Sequence, residues 1–210
     1  MTRAVFLDAL GTLVELEPPW NFLRSKVPAE ISDQRLIEAV KAEIDYYKRH
    51  ADEGRDPESL ADLRHRCAEF LSTELGAPVS AEELMAAVRI GPYPDAEPTL
   101  TALRERGLRL VVVSNWDCSL SGVLERCGLA HLFEGAIASA VVGARKPDPA
   151  IFVPALELAG VEPAEALHVG DTPEEDLVAA RDAGIRGLLI DRSSGGNGDI
   201  SSLAQIEEHL

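Results

Sequence analysis

The stretch FLDALGTLV, residues 6–14, ends a short apolar run with a carboxylate, Asp8, and turns away through Gly11 and Thr12. A carboxylate fixed at the end of a strand can act as a nucleophile or hold a cation. Other reactive side chains recur in the same setting. Ser114 and Asn115 close LRLVVVSN (108–115), Arg145, Lys146 and Pro147 follow GAIASAVV (135–142), and Asp171 closes ALHVGD (166–171). The last of these opens the acidic run GDTPEED, which carries Glu175 and Asp176. If the apolar runs are parallel strands, their carboxyl ends share one crevice, where open α/β sheets bind ligands. Two carboxylates, a hydroxyl and an ammonium meeting there suit a phosphoryl group and its cation. Asp8 and Asp171 would offer oxygen ligands to Mg²⁺, and Lys146 and Ser114 would hold phosphate oxygens.

The elements that position these residues follow from periodicity. Residues 4–10, 108–115, 135–142, 166–171 and 187–192 each read as a buried strand. Between the later four lie helical patterns: Val123, Leu124 and Cys127; Ile151, Val153, Leu156 and Leu158; Leu177, Val178, Ala180 and Ala183. This alternation predicts an α/β fold, a doubly wound parallel sheet covered on both faces. Residues 11–107, which separate the first two strands, far exceed one crossover helix. Within them Leu36, Ile37, Val40, Ile44 and Tyr47 share one helical stripe, and Leu60, Leu63, Cys67, Phe70, Leu71 and Leu75 another. A third helix over 80–90 is announced by Ser80 with Glu83 three residues on. The expected organisation is a Rossmann-like core of residues 1–14 and 93–210 and an inserted all-helical cap of 15–92 with proline-rich edges. The Gly- and Ser-rich segment 192–200 reads as a mobile loop before a last helix.

Charge narrows the choice of partner. Thirty-six acidic against twenty basic residues give a net charge of −16, which opposes binding to nucleic acid or anionic membranes. A small anionic metabolite would therefore have to be drawn in locally, by a lysine or a metal. No apolar run approaches the ~20 residues of a membrane helix, and the first residues read as a strand rather than a signal peptide, so a cytoplasmic location is expected. Cys67, Cys118 and Cys127 have no metal or redox spacing and are expected to be buried thiols. Neither do His50, His65, His131 and His209 have metal spacing, while His168 lies inside a strand and is expected in the core. Trp116 suits either the pocket or packing, and Trp20, Tyr46 and Tyr47 fall in the cap. A monomer and a homodimer are equally compatible with the sequence.

Four motifs in order, DALGT (8–12), VVVSN (111–115), RKPDP (145–149) and GDTPEED (170–176), give the chain a close resemblance to the haloacid dehalogenase superfamily of hydrolases with a helical cap after the first strand. The resemblance implies that Asp8 attacks the substrate and is covalently modified, and that Ser114, the backbone around Asn115, and Thr12 bind the transferring group. It implies that Lys146 neutralises developing charge and orients Asp8, and that Mg²⁺ is held by Asp8, Asp171 and the backbone carbonyl of Leu10. Asp176 and Glu175 would act in support, through water or by positioning Lys146. At Leu10 the sequence departs from the phosphatases it resembles, which carry a second aspartate there to protonate the leaving alcohol. Leucine carries no proton, and loss of such a group costs roughly 10²–10⁴-fold in rate. Three readings remain open. They are a Mg²⁺-dependent phosphatase, favoured by the acidic fourth motif; a 2-haloacid dehalogenase, whose halide leaves unprotonated; and a phosphate- or metabolite-binding protein without turnover.

Overall fold

Ala4–Leu7 are four consecutive residues that are all buried, so this strand, β1, needs cover on both faces and partners on both edges. The computed structural model, which describes residues 1–193 and 196–210, places β1 at the centre of five parallel strands. After β1 come β2 (Val14–Leu16), four helices α1 (Pro19–Leu23), α2 (Asp33–His50), α3 (Pro57–Leu75) and α4 (Ala81–Ala87), and β3 (Ile90–Pro92). The chain continues through α5 (Ala96–Glu105), β4 (Arg109–Ser114), α6 (Leu120–Arg126), β5 (Gly135–Ala138) and α7 (Ser139–Val142). It closes with α8 (Val153–Ala159), β6 (Ala166–Gly170), α9 (Val178–Asp182) and β7 (Arg186–Leu189).

The strand order is β5-β4-β1-β6-β7, with Leu7 opposite both Val112 and Val169. That register brings Asp8, Ser114 and Asp171 to one edge of the sheet. Alternate residues face opposite layers, as the strand period of two requires. Val5, Leu7, Leu110, Val112 and Val169 pack with Leu100 and Leu103 of α5. On the other face Phe6, Val111 and Val113 pack with Phe152, Ala155 and Ala179. Helices α1–α4 enclose an apolar cluster of their own that includes Leu36, Val40, Leu63, Leu71 and Leu84. Their starts are fixed locally: Ser32 accepts from the Arg35 amide, and Asp56 with Ser59 and Ser80 with Glu83 form capping boxes. The helical segment leaves and rejoins the sheet through the antiparallel ribbon of β2 and β3, in which Val14 pairs with Pro92. Among the described residues no helix is long and apolar enough to cross a membrane.

Several expected boundaries shift. The third core strand ends at Ala138 rather than Val142, because β5 lies at the sheet edge and the chain coils into α7, leaving Val141 62% exposed. Val153 and Leu158 face outward, since Ile151, Ala155 and Ala159 occupy the sheet-facing positions of that helical stretch. The last strand occupies 186–189 rather than 187–192, and the final helix is a run of tight turns over Leu203–His209. Of the thiols only Cys67 is buried; Cys118 and Cys127 are half-buried, and all three are free.

The segment expected to be a mobile loop is tied down on both sides of Ser194 and Gly195, which lie outside the described residues. The Leu189 amide donates to Asp199 Oδ2 (2.8 Å) and the Asp191 amide to the Ile200 carbonyl (2.9 Å). Arg192 lies over the Tyr93 ring, donates to the Thr12 carbonyl (2.6 Å) and pairs with Asp95 (3.0 and 3.1 Å). Asp95 also accepts from Ser202 Oγ (2.7 Å) and the Leu203 amide (2.9 Å). One carboxylate thus ties the C-terminal segment to the root of the β2–β3 ribbon. Asp95→Ala strands a largely buried guanidinium and two further donors, and is expected to cost about 2–3 kcal/mol of stability. Thermal or urea unfolding checks this, and a change within error would contradict the anchoring role.

Candidate active site

Asp8 sits one residue past β1, its amide bonded to the Val169 carbonyl (2.9 Å). Its side chain is 7% exposed, and Oδ1 accepts from Ser114 Oγ (2.9 Å) and Lys146 Nζ (2.6 Å). Oδ2 has no hydrogen-bond donor among the described residues and is left for a ligand. The next turn can be made only by glycine: Gly11 has φ +83°, and a Cβ there would lie 2.1 Å from Asp171 Oδ2. A second close approach occurs at Gly170, where a Cβ would fall 2.1 Å from the Asp176 carboxyl carbon. The two glycines let backbone and carboxylates crowd into one small volume.

Lys146 is 1% exposed and lies beneath this crowd. Its ammonium donates to Asp8, to Asp176 Oδ1 (2.6 Å) and to the Val113 carbonyl (3.1 Å). Asp176 is held from three directions: Oδ1 also bonds His168 Nε2 (2.8 Å), and Oδ2 accepts from the Thr172 amide (3.0 Å). Asn115 braces the same unit. Its amide donates to the Lys146 carbonyl (3.0 Å) and Glu175 Oε2 (2.8 Å), while its Oδ1 accepts from the Lys146 amide (2.8 Å). Glu175 is further approached by Arg145 (3.8 Å). The expected site residues therefore separate into those that face a ligand and those that hold the others in place.

A cavity of about 660 Å³ opens between this edge and the helical segment. Asp8, Leu10, Ser114, Asn115 and Asp171 line it from the sheet side. One expectation changes. Thr12 does not line the cavity; its side chain is fully buried in the turn and its hydroxyl has no partner among the described residues. Asn115 lines the cavity, with its side-chain amide committed to Lys146 and Glu175. His168 is in the core as expected, fully buried, edge-on to Phe152 (4.9 Å). Trp116 is 7% exposed and serves both packing and the cavity wall.

The electrostatics favour a cation. Three carboxylates, Asp8, Asp171 and Asp176, face one ammonium. Burial pushes the Asp8 carboxyl up, and the charge of Asp176 adds to it, against the pull of Lys146 and Ser114. Asp171 is pushed up to about 6, by burial first and then by the charges of Asp8 and Asp176. Asp176 is held well below the ordinary range despite its burial, by His168 and Lys146. Burial disfavours the Lys146 ammonium, but Asp8 and Asp176 outweigh it and its pKa is raised. Asp171 has one side-chain partner, Thr172 Oγ1 (3.2 Å). Among the described residues no three acidic, imidazole or thiol side chains form a complete cage. What fits is a hard cation that keeps most of its water and takes one or two carboxylates, the habit of Mg²⁺.

Several residues around the site gave no motif signal. Asp52, just past α2, bonds Ser139 Oγ and pairs with Arg145 (3.2 Å), and Ser139 also accepts from the Trp116 amide (3.1 Å), which links the helical segment to the site loops. Tyr47, whose phenol is raised by burial and by Asp117, donates to Asp117 Oδ2 (2.8 Å). Glu43 lines the cavity from α2 while only 6% exposed. Its signal was available in the sequence: it falls three residues after Val40 and seven after Leu36, on the apolar stripe.

Comparison with known proteins shows the family. The model of the family described as haloacid dehalogenase-like hydrolase matches residues 2–184. A glyceraldehyde 3-phosphate phosphatase of Methanopyrus kandleri is 31% identical over 91% of this chain and 85% of its own. A phosphatase structure from Thermococcus onnurineus superposes with a TM-score of 0.69 at 28% identity, over 100% of this chain and 98% of that one. An L-2-haloacid dehalogenase of Xanthobacter autotrophicus does so with a TM-score of 0.69 at 26% identity, over 92% and 79%. Curated relatives of higher identity, 42–46%, match over only 38–52% of their own length, so the chain spans about half of those proteins or less.

Burial pushes Glu43 up from its ordinary 4.5 to about 7, offset only in part by the Cys67 thiol. A raised carboxyl is protonated in both states at low pH and ionises first in the unfolded chain. Wild-type stability therefore falls as pH rises from about 4.5 to about 7 and the contribution is constant beyond. Glu43→Gln is expected to remove that slope and to exceed the wild type at pH 8 by up to about 3 kcal/mol. Denaturant unfolding of both proteins across pH 4.5–8 checks this; parallel curves would contradict it.

Proposed function

The chain belongs to the haloacid dehalogenase-like hydrolases, and from that premise we propose that it is a Mg²⁺-dependent phosphohydrolase acting on a small phosphorylated metabolite through an aspartyl-phosphate on Asp8. The observation that carries this reading is the division of labour at Asp8. One carboxylate oxygen is fixed by Ser114 and Lys146, and the other is free, next to the under-partnered Asp171. A nucleophile held by one oxygen and open at the other is oriented for attack.

In the first step Asp8 Oδ2 bonds to phosphorus, and the bond from phosphorus to the leaving oxygen breaks, its electron pair going to that oxygen. In the second, a water attacks the phosphorus of the aspartyl-phosphate, releasing inorganic phosphate and restoring the carboxylate. Lys146 keeps Asp8 in line and offsets negative charge from below, and Asp176, with His168 and Asn115 behind it, keeps Lys146 there. Asp8, Asp171 and the Leu10 carbonyl would hold Mg²⁺, which would supply further charge neutralisation. Leu10 donates no proton, so good leaving groups such as acyl and aryl phosphates suit the site best. A cytoplasmic location, a monomer or homodimer, and no nucleic-acid or membrane partner are part of the same proposal, the last on the net charge of −16.

The surplus of carboxylates at Asp171 favours this over the dehalogenase reading, since expulsion of halide from a haloacid needs no cation. A dehalogenase would release halide from 2-chloropropionate in the presence of EDTA, and a binding protein would turn over neither substrate. Phosphate release from acetyl phosphate and p-nitrophenyl phosphate is expected to require Mg²⁺ and to fall by at least ~10³-fold in Asp8→Asn, with the fold retained by circular dichroism. Release that survives EDTA or the substitution would overturn the reading. Leu10→Asp is expected to raise the rate on alkyl phosphates by ~10²-fold, and no gain would show that position 10 is not the proton-donor position.

A further inference from the structure

Glu43 is the one carboxylate on the cavity wall for which neither packing nor the proposed chemistry accounts. Asp8 and Asp176 are held by Lys146; Asp117 accepts from Tyr47 and from the Ser119 amide (2.7 Å), and Glu175 from Asn115. Asp171 is the expected cation ligand. Glu43 is 6% exposed, and among the described residues no lysine, arginine or histidine pairs with it. Its one helper is the Cys67 thiol, a weak donor. Arg64 lies on the same wall but does not pair with Glu43. Burying a carboxylate without a cation is among the costlier choices a fold makes, and an uncharged residue would fill the α2 stripe more cheaply. The same cavity wall carries Ile44, Leu84 and Val88, and apolar surface beside a charge strengthens an ion pair formed there.

We propose that Glu43 determines specificity, binding a protonated amine on the organic part of the phosphomonoester whose phosphoryl group Asp8 attacks. The inference rests on the phosphohydrolase reading and adds the substrate class: a small molecule with a phosphate at one end and an ammonium at the other. A cavity of about 660 Å³ accommodates such a metabolite. The ammonium also lowers the cost of bringing a phosphate into a protein of net charge −16. Burial pushes Glu43 up to about 7, and an ammonium beside it would pull it back down.

The test compares 4-(aminomethyl)phenyl phosphate with 4-(hydroxymethyl)phenyl phosphate. Both leave as phenolates, so the missing proton at Leu10 weighs equally on each. The wild type is expected to favour the amine by at least about tenfold in kcat/KM, mainly through KM, and Glu43→Gln to bring the ratio near one by raising KM for the amine alone. A wild-type ratio near one overturns the proposal, whether or not the variant folds. So does a ratio unchanged in Glu43→Gln, or an equal fall in kcat on both esters, which would make Glu43 a proton donor instead. If the wild type hydrolyses neither ester, p-nitrophenyl phosphate shows whether the phosphohydrolase reading has failed as well, and calorimetric binding of the two esters decides the recognition. Tighter binding of the amine that is lost in Glu43→Gln sustains the proposal, and equal binding ends it.

Discussion

The ammonium of Lys146, buried between Asp8 and Asp176, organises this protein. Two contacts of 2.6 Å from this buried ammonium set the position of Asp8 and leave a third carboxylate, Asp171, without a counter-charge among the described residues. Removing one partner of such a unit strands the others, so the group is held from several directions. Val113 fixes the ammonium from β4, His168 fixes Asp176 from β6, and Asn115 clamps the backbone at Lys146 itself. These supports come from the two strands that flank β1, which makes the precision of the site a property of the sheet.

The parallel register delivers that precision. With Leu7 level with Val112 and Val169, the residues just beyond converge without long side chains having to reach. Gly11 and Gly170 provide the room, each sparing a collision with a carboxylate. The helical segment completes the enclosure through Asp52, which joins Ser139 and Arg145, and through the Tyr47–Asp117 hydrogen bond. Residues of the helical segment thereby touch the loops that follow the reactive strands. This is a physical route by which what binds against α2 can influence what happens at Asp8.

Much of this was legible in the sequence because burial leaves a strong pattern. Runs such as AVFL and RLVVVS have no polar face, so the parallel sheet and the strand ends that carry Asp8, Ser114 and Asp171 could be read directly. Lys146 and Asp176 were singled out by the motifs, and the fold brings both to Asp8's side of the sheet, with Lys146 between Asp8 and Asp176. Reading failed where long-range partners decide. Residues 139–142 look like a continuing strand, but an edge strand has no neighbour there to hold it. Val153 and Leu158 look like core residues, but alanines took the positions against the sheet. The Gly- and Ser-rich tail reads as loose, and only the three-dimensional fold brings Asp95 to Arg192. Asn115 lies on the cavity wall as expected, while Thr12, expected beside it, is buried in the turn. Glu43 was visible as a charge on an apolar stripe, a pattern that periodicity flags but does not explain.

The central claim is that Asp8 becomes covalently phosphorylated. The most direct measurement is acid-quenched mass spectrometry of the protein after brief exposure to acetyl phosphate and Mg²⁺, with the modified peptide sequenced. The expected result is one phosphoryl group, located on Asp8, that decays when substrate is exhausted and is absent in Asp8→Asn. Phosphate turnover with no phosphoryl group on Asp8, or with one on another residue, would contradict the account.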